Sequence, residues 1–371
     1  PMKLDINSRI SLSNNDAGDY NTSFGHSVGA SQTSTATKNT LMGHYAGNAI
    51  TDGQYNTLIG ANTGDSVTTA SKLTLIGQNA GTAITVTNTS NVSDGTTAVG
   101  FSALTALTSG AGNTAVGYQA MDANATSDYN TAVGTSALGA LTNDGDTGNT
   151  AVGWNAGLLV TSGVNNTLIG TVVGDGFDAE RDNTFVGYAS GTGAINGADY
   201  CVAIGSSSFQ GAATQDGTVA IGYQSLKALT SGARNLAIGH QAMDSLTQGD
   251  DNIGIGTDAL GSMAATDGND QNIAIGSYAL ANAGASSNVA SGNVAIGYSA
   301  GVQVTTADNT TAIGTSALAA LTTGSGNVAV GKDAGDSITT CNNTVLIGTD
   351  AGQAITVTGS GDTDPDGTIA I

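Results

Sequence analysis

The chain contains little charge, almost no proline and few aromatic residues. Among its 371 residues, Lys and Arg number 8, Asp and Glu 29 and Pro 2, and aromatic residues make up 4%. Nucleic-acid binding is not expected, because it requires a basic surface and the formal net charge is −21. No run of about 18 apolar residues is present, so no transmembrane helix is expected. Low charge together with 39% apolar residues also argues against a solvated disordered chain.

Glycine is abundant, at 55 residues, but it does not recur at every third position as collagen requires. Instead a pentapeptide repeats, with Asn-Thr-Ala-Val-Gly at 113–117, 130–134 and 149–153. With its closing glycine as an anchor the chain has 19 units, and 12 of the 18 intervals between anchors equal the spacing of Gly43 and Gly60. The other intervals are longer, as loop insertions on a fixed coil would make them. The anchors are Gly25, Gly43, Gly60, Gly77, Gly100, Gly117, Gly134, Gly153, Gly170, Gly187, Gly205, Gly222, Gly239, Gly256, Gly276, Gly297, Gly314, Gly331 and Gly348.

Each repeat predicts one coil of a β-solenoid. The short β-branched run before the anchor predicts a strand, and the Gly and Asn around it predict turns. A second, weaker strand is predicted at Leu107-Thr108, Leu141-Thr142, Leu229-Thr230 and Leu321-Thr322. The sequence therefore predicts an all-β fold, a β-solenoid of about 19 coils with a 17-residue period. Residues 1–20 depart from the repeat, and the alternation over Lys3–Asn7 predicts a strand that caps the solenoid or docks it to another protein.

The apolar pattern of the strand predicts a self-association surface. Because side chains alternate along a strand, we expect the Val or Ile before each anchor to fill the coil and the residue two before it to point outward. That residue is apolar in most units, so an exposed apolar row is predicted to form a subunit interface; a further layer of the same chain covering the row is the alternative. The predicted interface residues are Ala98, Ala115, Ala132, Ala151, Ala203, Ala220, Ala237 and Ala295.

The residue three before the anchor divides the repeats into two sets. It is Thr in the first ten units, and in the last nine it is Val, Ile or Leu with the exception of Thr311. We interpret the change as a drier interior, or a change in the shape of the coil, beyond residue 200. It predicts two halves without a linker, 21–200 and 201–371.

The Asn-Thr-Ala-Val-Gly-Tyr-x-Ala core resembles the head repeats of trimeric autotransporter adhesins, and more closely the longer repeats of bacteriophage tail fibres and virion appendages, notably of marine phages. The resemblance covers residues 21–371 and implies a left-handed parallel β-roll that forms a trimer and serves as a rod or receptor-binding surface. The implied partners are two further copies of the chain, other virion proteins, and a host cell-surface glycan or protein.

These observations predict a non-enzymatic structural rod of a phage tail fibre or appendage at the virion surface. Adhesins carry a signal peptide, a stalk and a membrane anchor, and the absence of such segments here favours a virion protein. The alternatives are an adhesin head on a bacterial surface and a capsid-decorating fibre or cement protein. An ice-binding solenoid, suggested by the threonine row, and a polysaccharide-degrading spike are further alternatives. Pro1 precedes Met2, and Ile371 ends one residue before the next anchor is due, so we expect a longer native chain.

No catalytic or metal-binding set is predicted. His26, His44 and His240 each follow an anchor, at the position that holds aromatic residues in other units, and no second ligand is near in sequence. Rings at this position are interpreted either as covers of the turn and its glycine or as a stripe able to stack on sugars. The members of the stripe, with Trp154 the best single candidate, are Tyr118, Trp154, Tyr188, Tyr223 and Tyr298.

No cofactor is expected. Acidic loops offer oxygen ligands for Ca²⁺ as a weaker alternative to solvated turns; they are Asp250–Asn252, Asp267–Asp270 and Asp362–Asp366. Cys201 and Cys341 lie about eight coils apart, roughly 35–40 Å at the spacing of stacked strands. A disulfide between them is therefore excluded, and both are predicted to be interior residues.

Overall fold

The described part of the chain is an all-β parallel solenoid with the 17-residue period that the repeat predicts. The computed structural model describes residues 9–11, 18–85, 94–193, 195, 197–263, 268–284, 289–355 and 367–371. Within these ranges there is no helix, and so none that is long and apolar enough to cross a membrane. The chain divides into two compact units, Pro1–Asn183 and Thr184–Ile371. This division falls one coil before the change in composition near residue 200.

The first unit contains twelve strands. They are β1 (Arg9–Ser11), β2 (Thr22–Gly25), β3 (Thr40–Met42), β4 (Thr57–Ile59), β5 (Thr74–Ile76), β6 (Thr97–Val99), β7 (Thr114–Val116), β8 (Ser127–Asp128), β9 (Thr131–Val133), β10 (Gly145–Asp146), β11 (Thr150–Val152) and β12 (Thr167–Ile169). β1 pairs antiparallel with β2 and thereby covers the edge of the parallel ladder. The predicted strand at Lys3–Asn7 lies outside the described residues.

The second unit contains eleven strands. They are β13 (Thr184–Val186), β14 (Val202–Ile204), β15 (Val219–Ile221), β16 (Leu236–Ile238), β17 (Ile253–Ile255), β18 (Ile273–Ile275), β19 (Val294–Ile296), β20 (Thr311–Ile313), β21 (Val328–Val330), β22 (Val345–Ile347) and β23 (Ile369–Ala370). Each pairs in parallel with the next strand in sequence.

Strands of successive coils pair in register, so equivalent repeat positions stack on one another. Thr114 lies beside Thr131, and Val116 beside Val133. The prediction of a second strand in each coil is wrong for the four Leu-Thr pairs, where the chain turns. Their threonines make single ladder bonds instead, as in the 2.8 Å bond from the Thr108 amide to the Ala125 carbonyl. Positive φ angles at Ser102 and Leu104 mark the tight turn that precedes the first of these pairs, Leu107-Thr108.

The anchor glycines allow the coils to approach closely. Gly117 has a φ of +148°, and a Cβ atom on it would lie 2.3 Å from the carbonyl oxygen of Gly134 in the next coil. No other residue fits such a contact. Glycine at the anchor is therefore a requirement of stacking.

Buried asparagines connect the coils from within. The Asn113 side chain donates to the Ser127 carbonyl at 2.7 Å, and its Oδ1 accepts from the Asn130 amide at 3.0 Å. The same relation continues from Asn130 to Asn149 and, in the second unit, from Asn235 to Asn252. These bonds satisfy backbone groups that the turns leave without a ladder partner.

Candidate interaction surfaces

Each ladder strand turns its middle residue into the coil and its two flanking residues outward. The prediction that the middle residue faces outward is therefore wrong. The alanines predicted to form a subunit interface have no exposed surface in the single chain; they are Ala98, Ala115, Ala132, Ala151, Ala203, Ala220, Ala237 and Ala295. The residue before the anchor is on the surface instead, as shown by Ile169 at 41% exposed and Ile204 at 38%.

The interior accounts for this orientation. The buried asparagine lies two residues before the inward alanine, so alternation along the strand places both on the same side. The interior is completed by residues of the turns, among them Ala120, Met121 and Leu107, all fully buried. The inward position is filled by Ala in many coils and by Leu in others, among them Leu58 and Leu75.

The residue three before the anchor also faces outward, so the interpretation of a drier interior beyond residue 200 is wrong. The change from Thr to Val, Ile or Leu alters the surface instead. In β13–β22 the two outward positions number twenty, and all but Thr184 and Thr311 are aliphatic. We call these outward residues of β13–β22 the aliphatic face. It carries no charged side chain, and Ile275, Ile296 and Ile347 are 37%, 37% and 43% exposed.

The corresponding face of the first unit is half polar. We call the outward threonines of this unit the threonine row; they are Thr22, Thr40, Thr57, Thr74, Thr97, Thr114, Thr131, Thr150 and Thr167. Within the described residues none of their hydroxyl groups has a protein hydrogen-bond partner. Beside this row runs a row of Phe24, Met42 and seven Val or Ile residues.

The predicted aromatic residues lie on the surface. Tyr118, Trp154, Tyr188, Tyr223 and Tyr298 are between 47% and 60% exposed. The ladder continues to this position, since the amide of Gln119 donates to the carbonyl of Phe101 at 2.9 Å. The row therefore borders the outward strand positions.

Several of these rings stack on one another along the row. Phe101 and Tyr118 are stacked with centroids 5.4 Å apart, and Tyr223 and His240 at 5.2 Å. The faces of paired rings are thus partly covered by their neighbours and their edges are turned to solvent. Tyr118 and Tyr223, two of the five predicted sugar-stacking residues, thus each lie against a ring that is not among the five.

Histidine and acidic residues form no metal site among the described residues, where no group of three or more His, Cys, Asp or Glu side chains is suitably placed. His26 and His44 stack on each other at 5.3 Å. Asp251 is paired with Arg234 at 2.7 Å. The loop 362–366 and Asp267 lie outside the described residues.

Both cysteines are buried, as predicted, and the Cys201 thiol donates to the Asp199 carbonyl at 3.4 Å. Burial raises the pKa of the Cys201 thiol to about 11. The thiolate is therefore scarce at neutral pH, and this cysteine is a structural interior residue.

No protein-family model and no curated protein sequence matches this chain. The fold is compatible with a structural rod, because within each unit successive coils stack through in-register strands, and buried asparagines connect many of them. The resemblance to phage fibres and adhesin heads remains a prediction from the repeat.

Proposed function

We propose that the chain is a non-enzymatic structural fibre protein that assembles as a parallel homotrimer through the aliphatic face. The observation that carries the proposal is the run of eighteen aliphatic residues at twenty outward positions. Soluble monomers rarely expose apolar patches larger than a few hundred Å². A chain with formal charge −21 that keeps one long face free of charge has a surface suited to its own copies.

The size of the face supports a stable interface. Ten strands at about 4.8 Å and a width of about 15 Å, including the neighbouring aromatic row, give an area on the order of 700 Å². A typical specific interface buries about 800 Å² on each partner. The aliphatic face is therefore large enough to hold copies together without the threonine row.

Cyclic symmetry suits such a face. When copies lie parallel around an axis along the ladder, each aliphatic row meets the same row of its neighbours, and every copy uses the same surface. The number three comes from the resemblance to trimeric fibres. The acidic remainder of each chain then faces solvent and keeps assembled fibres apart.

The place we propose for this trimer is a phage tail fibre or virion appendage on the virion surface. Residues 1–20 would connect it to other virion proteins, and the solvent-facing surface would contact a host glycan or protein. A bacterial adhesin head and a capsid-decorating protein use the same assembly. The full-length gene separates them, because an adhesin requires an export signal and a membrane anchor.

The native mass in solution tests the assembly. Light scattering coupled to size exclusion is expected to give three times the chain mass of 36.1 kDa. The mass of a single chain would contradict the proposal, and the mass of two chains would contradict the trimer while leaving self-association in place.

The threonine row favours a second candidate, an ice-binding face. Nine stacked hydroxyl groups without protein partners, beside an aliphatic row, form a regular surface at the strand spacing of about 4.8 Å. Such a face is expected to slow ice growth only if it stays exposed. Thermal hysteresis that is lost when both Thr114 and Thr131 are replaced by Lys would support this candidate, and its absence in the wild-type chain would exclude it.

A further inference from the structure

A groove of about 400 Å³ crosses four successive coils of the second unit. None of the outward strand positions lines it, so it is separate from the aliphatic face. Its lining includes Asp244, Asp258, Gly261, Tyr278, Ala281 and Asn282. This volume lies in the range of small-ligand sites in proteins.

Two small residues in neighbouring coils produce the groove. Asp244, Gly261 and Ala281 each lie five residues after an anchor, so they stack in consecutive coils. Lys227 holds this position in the coil before Asp244, is exposed and does not line the groove. Gly261 and Ala281 form the floor of the groove, because they have little or no side chain. Asp244, Asp258, Tyr278 and Asn282 line its sides.

The walls carry hydrogen-bond acceptors and one aromatic ring. Asp244 accepts long side-chain bonds from Ser245 at 3.3 Å and Gln241 at 3.4 Å. The Asp258 carboxylate has no hydrogen-bond partner among the described residues. Tyr278 is 40% exposed and meets Tyr298 edge to face at 5.9 Å.

The lining contains no Lys, Arg or His. Burial raises the pKa of Asp244 and the negative charge of Asp258 adds to the effect, while hydrogen bonds from Ser245 and the charge of Lys227, which lies outside the lining, oppose it. Anionic ligands such as phosphates or uronic acids are therefore disfavoured, because no lining cation would balance their charge.

We propose that this groove binds a neutral saccharide unit. The carboxylates of Asp244 and Asp258 accept hydrogen bonds from sugar hydroxyls, and the side-chain amide of Asn282 donates to and accepts from them. The Tyr278 ring packs against the apolar side of the sugar ring. The inference rests on the proposed function for the source of its ligand, a polysaccharide of the host surface, and it places the contact outside the assembly face.

Titration of the full chain with neutral sugars tests the proposal. The probes are glucose, galactose, mannose and N-acetylglucosamine with their common disaccharides, followed by saturation-transfer NMR. At least one probe is expected to bind with a dissociation constant on the order of 1 mM, as suits a shallow groove. Sialic acid, an anionic sugar, is expected not to bind.

Matched variants locate the site. Asp244→Asn, Asp258→Asn and the groove-filling Ser262→Tyr are each expected to weaken binding at least tenfold. Asp336→Asn is the control, because Asp336 occupies the same repeat position outside the groove and accepts a similar bond, from Ser337 at 3.0 Å. Binding that Asp336→Asn preserves and the groove variants lose would support the proposal.

Three results would overturn the inference. These are no binding of any neutral sugar, binding that the groove variants leave unchanged, and a response to Ca²⁺ alone that depends on Asp244. The native mass of each variant is measured in parallel. A trimeric chain that binds no sugar refutes the groove inference alone, whereas a monomeric chain refutes the proposed assembly whether or not sugar binds.

Discussion

Leu75 fills the space that a side chain at position 81 would need, because a Cβ atom on Gly81 would lie 2.9 Å from Leu75 Cδ1. The two residues face each other inside one coil. In the next coil the sizes are exchanged, and Ala98 is paired with Leu104, both fully buried. The two positions thus share one volume in each coil.

Exchanging the two sizes within one coil tests this shared volume. Leu75→Ala alone is expected to cost about 2–5 kcal/mol because it leaves a cavity. Gly81→Leu alone is expected to cost about 1–3 kcal/mol through overpacking. The double variant is expected to cost less than either, since Gly81 has a φ of +57° and Leu104 accepts +51° at the same repeat position.

Chemical denaturation of the wild type, the two single variants and the double variant measures the coupling. Strictly additive losses would contradict a shared volume.

The shared volume of the two inward positions helps to explain which parts of the fold the sequence predicts. The glycine anchors and their 17-residue spacing predict the solenoid and its strands, because stacking constrains both. The predicted direction of the strand faces is wrong, since both faces are apolar and alternation alone does not tell inside from outside. Where the residue two before the anchor is large, as Leu75 is, the residue four after the anchor is small, as Gly81 is; in the next coil Ala98 and Leu104 show the reverse. This inverse relation of sizes is a signal in the sequence that both positions point inward.

The interaction surfaces are less predictable. The aromatic row follows from repeat position, and the structure places its members on the surface, while their stacking on sugars stays a prediction. The groove at Asp244 depends on small residues that coincide in neighbouring coils, at Gly261 and Ala281. The sequence alone does not predict this groove, because Gly261 and Ala281 become neighbours only when the coils stack in register.

Close stacking at the anchors predicts a difference between two glycines. Gly117→Ala is expected to destabilise the fold by more than about 2 kcal/mol, because its Cβ atom would lie 2.3 Å from a backbone oxygen and its φ is strained for alanine. Gly348→Ala has comparable strain, with a φ of +126°, but its Cβ atom would meet nothing within 4 Å. Thermal unfolding of both variants compares them, and equal losses would show that strain and not contact sets the requirement.

The asparagine ladder predicts a large effect from one buried amide. The Asn130 Oδ1 accepts from the Asn149 amide at 2.9 Å and from the Thr147 hydroxyl at 2.8 Å. Asn130→Ala leaves the buried Asn149 amide without this acceptor and leaves the Thr147 hydroxyl only its 3.3 Å bond to the Asp128 carbonyl, and it is expected to cost at least about 2 kcal/mol. The surface substitution Asn143→Ala serves as the control in denaturation experiments. A loss no larger than that of the control would mean that water replaces the amide.

Burial of Asp175 predicts a dependence of stability on pH. Its Oδ1 is buried without a hydrogen-bond partner, and burial raises its pKa. The folded state therefore binds this proton more tightly than the unfolded state. Protonated Asp175 therefore contributes stability that grows as the pH falls through its raised folded-state pKa toward the ordinary Asp pKa of about 3.9. This contribution is lost as the pH rises above the raised pKa.

Asp175→Asn is expected to be more stable than the wild type at pH 7 and to lose this part of the pH dependence. Asp251→Asn is expected to be less stable than the wild type at pH 7. The hydrogen bond from Arg234 lowers the pKa of Asp251, so the ionised carboxylate stabilises the fold at pH values above the ordinary pKa of Asp. Melting temperatures between pH 4 and pH 7 report both effects. A wild-type advantage over Asp175→Asn that is constant across this range would contradict the assignment.

Parallel self-association through the aliphatic face is tested most directly by a single cysteine placed on it. In a parallel assembly, Cys introduced by Ile275→Cys meets the same residue of a neighbouring copy, whereas Ser245→Cys lies on the surface outside the face. Cys201 and Cys341 are buried and serve as an unreactive background. Under mild oxidation, Ile275→Cys is predicted to give a cross-linked dimer on a non-reducing gel and Ser245→Cys to remain a single chain. A single chain for both variants would contradict the assembly proposed for this solenoid.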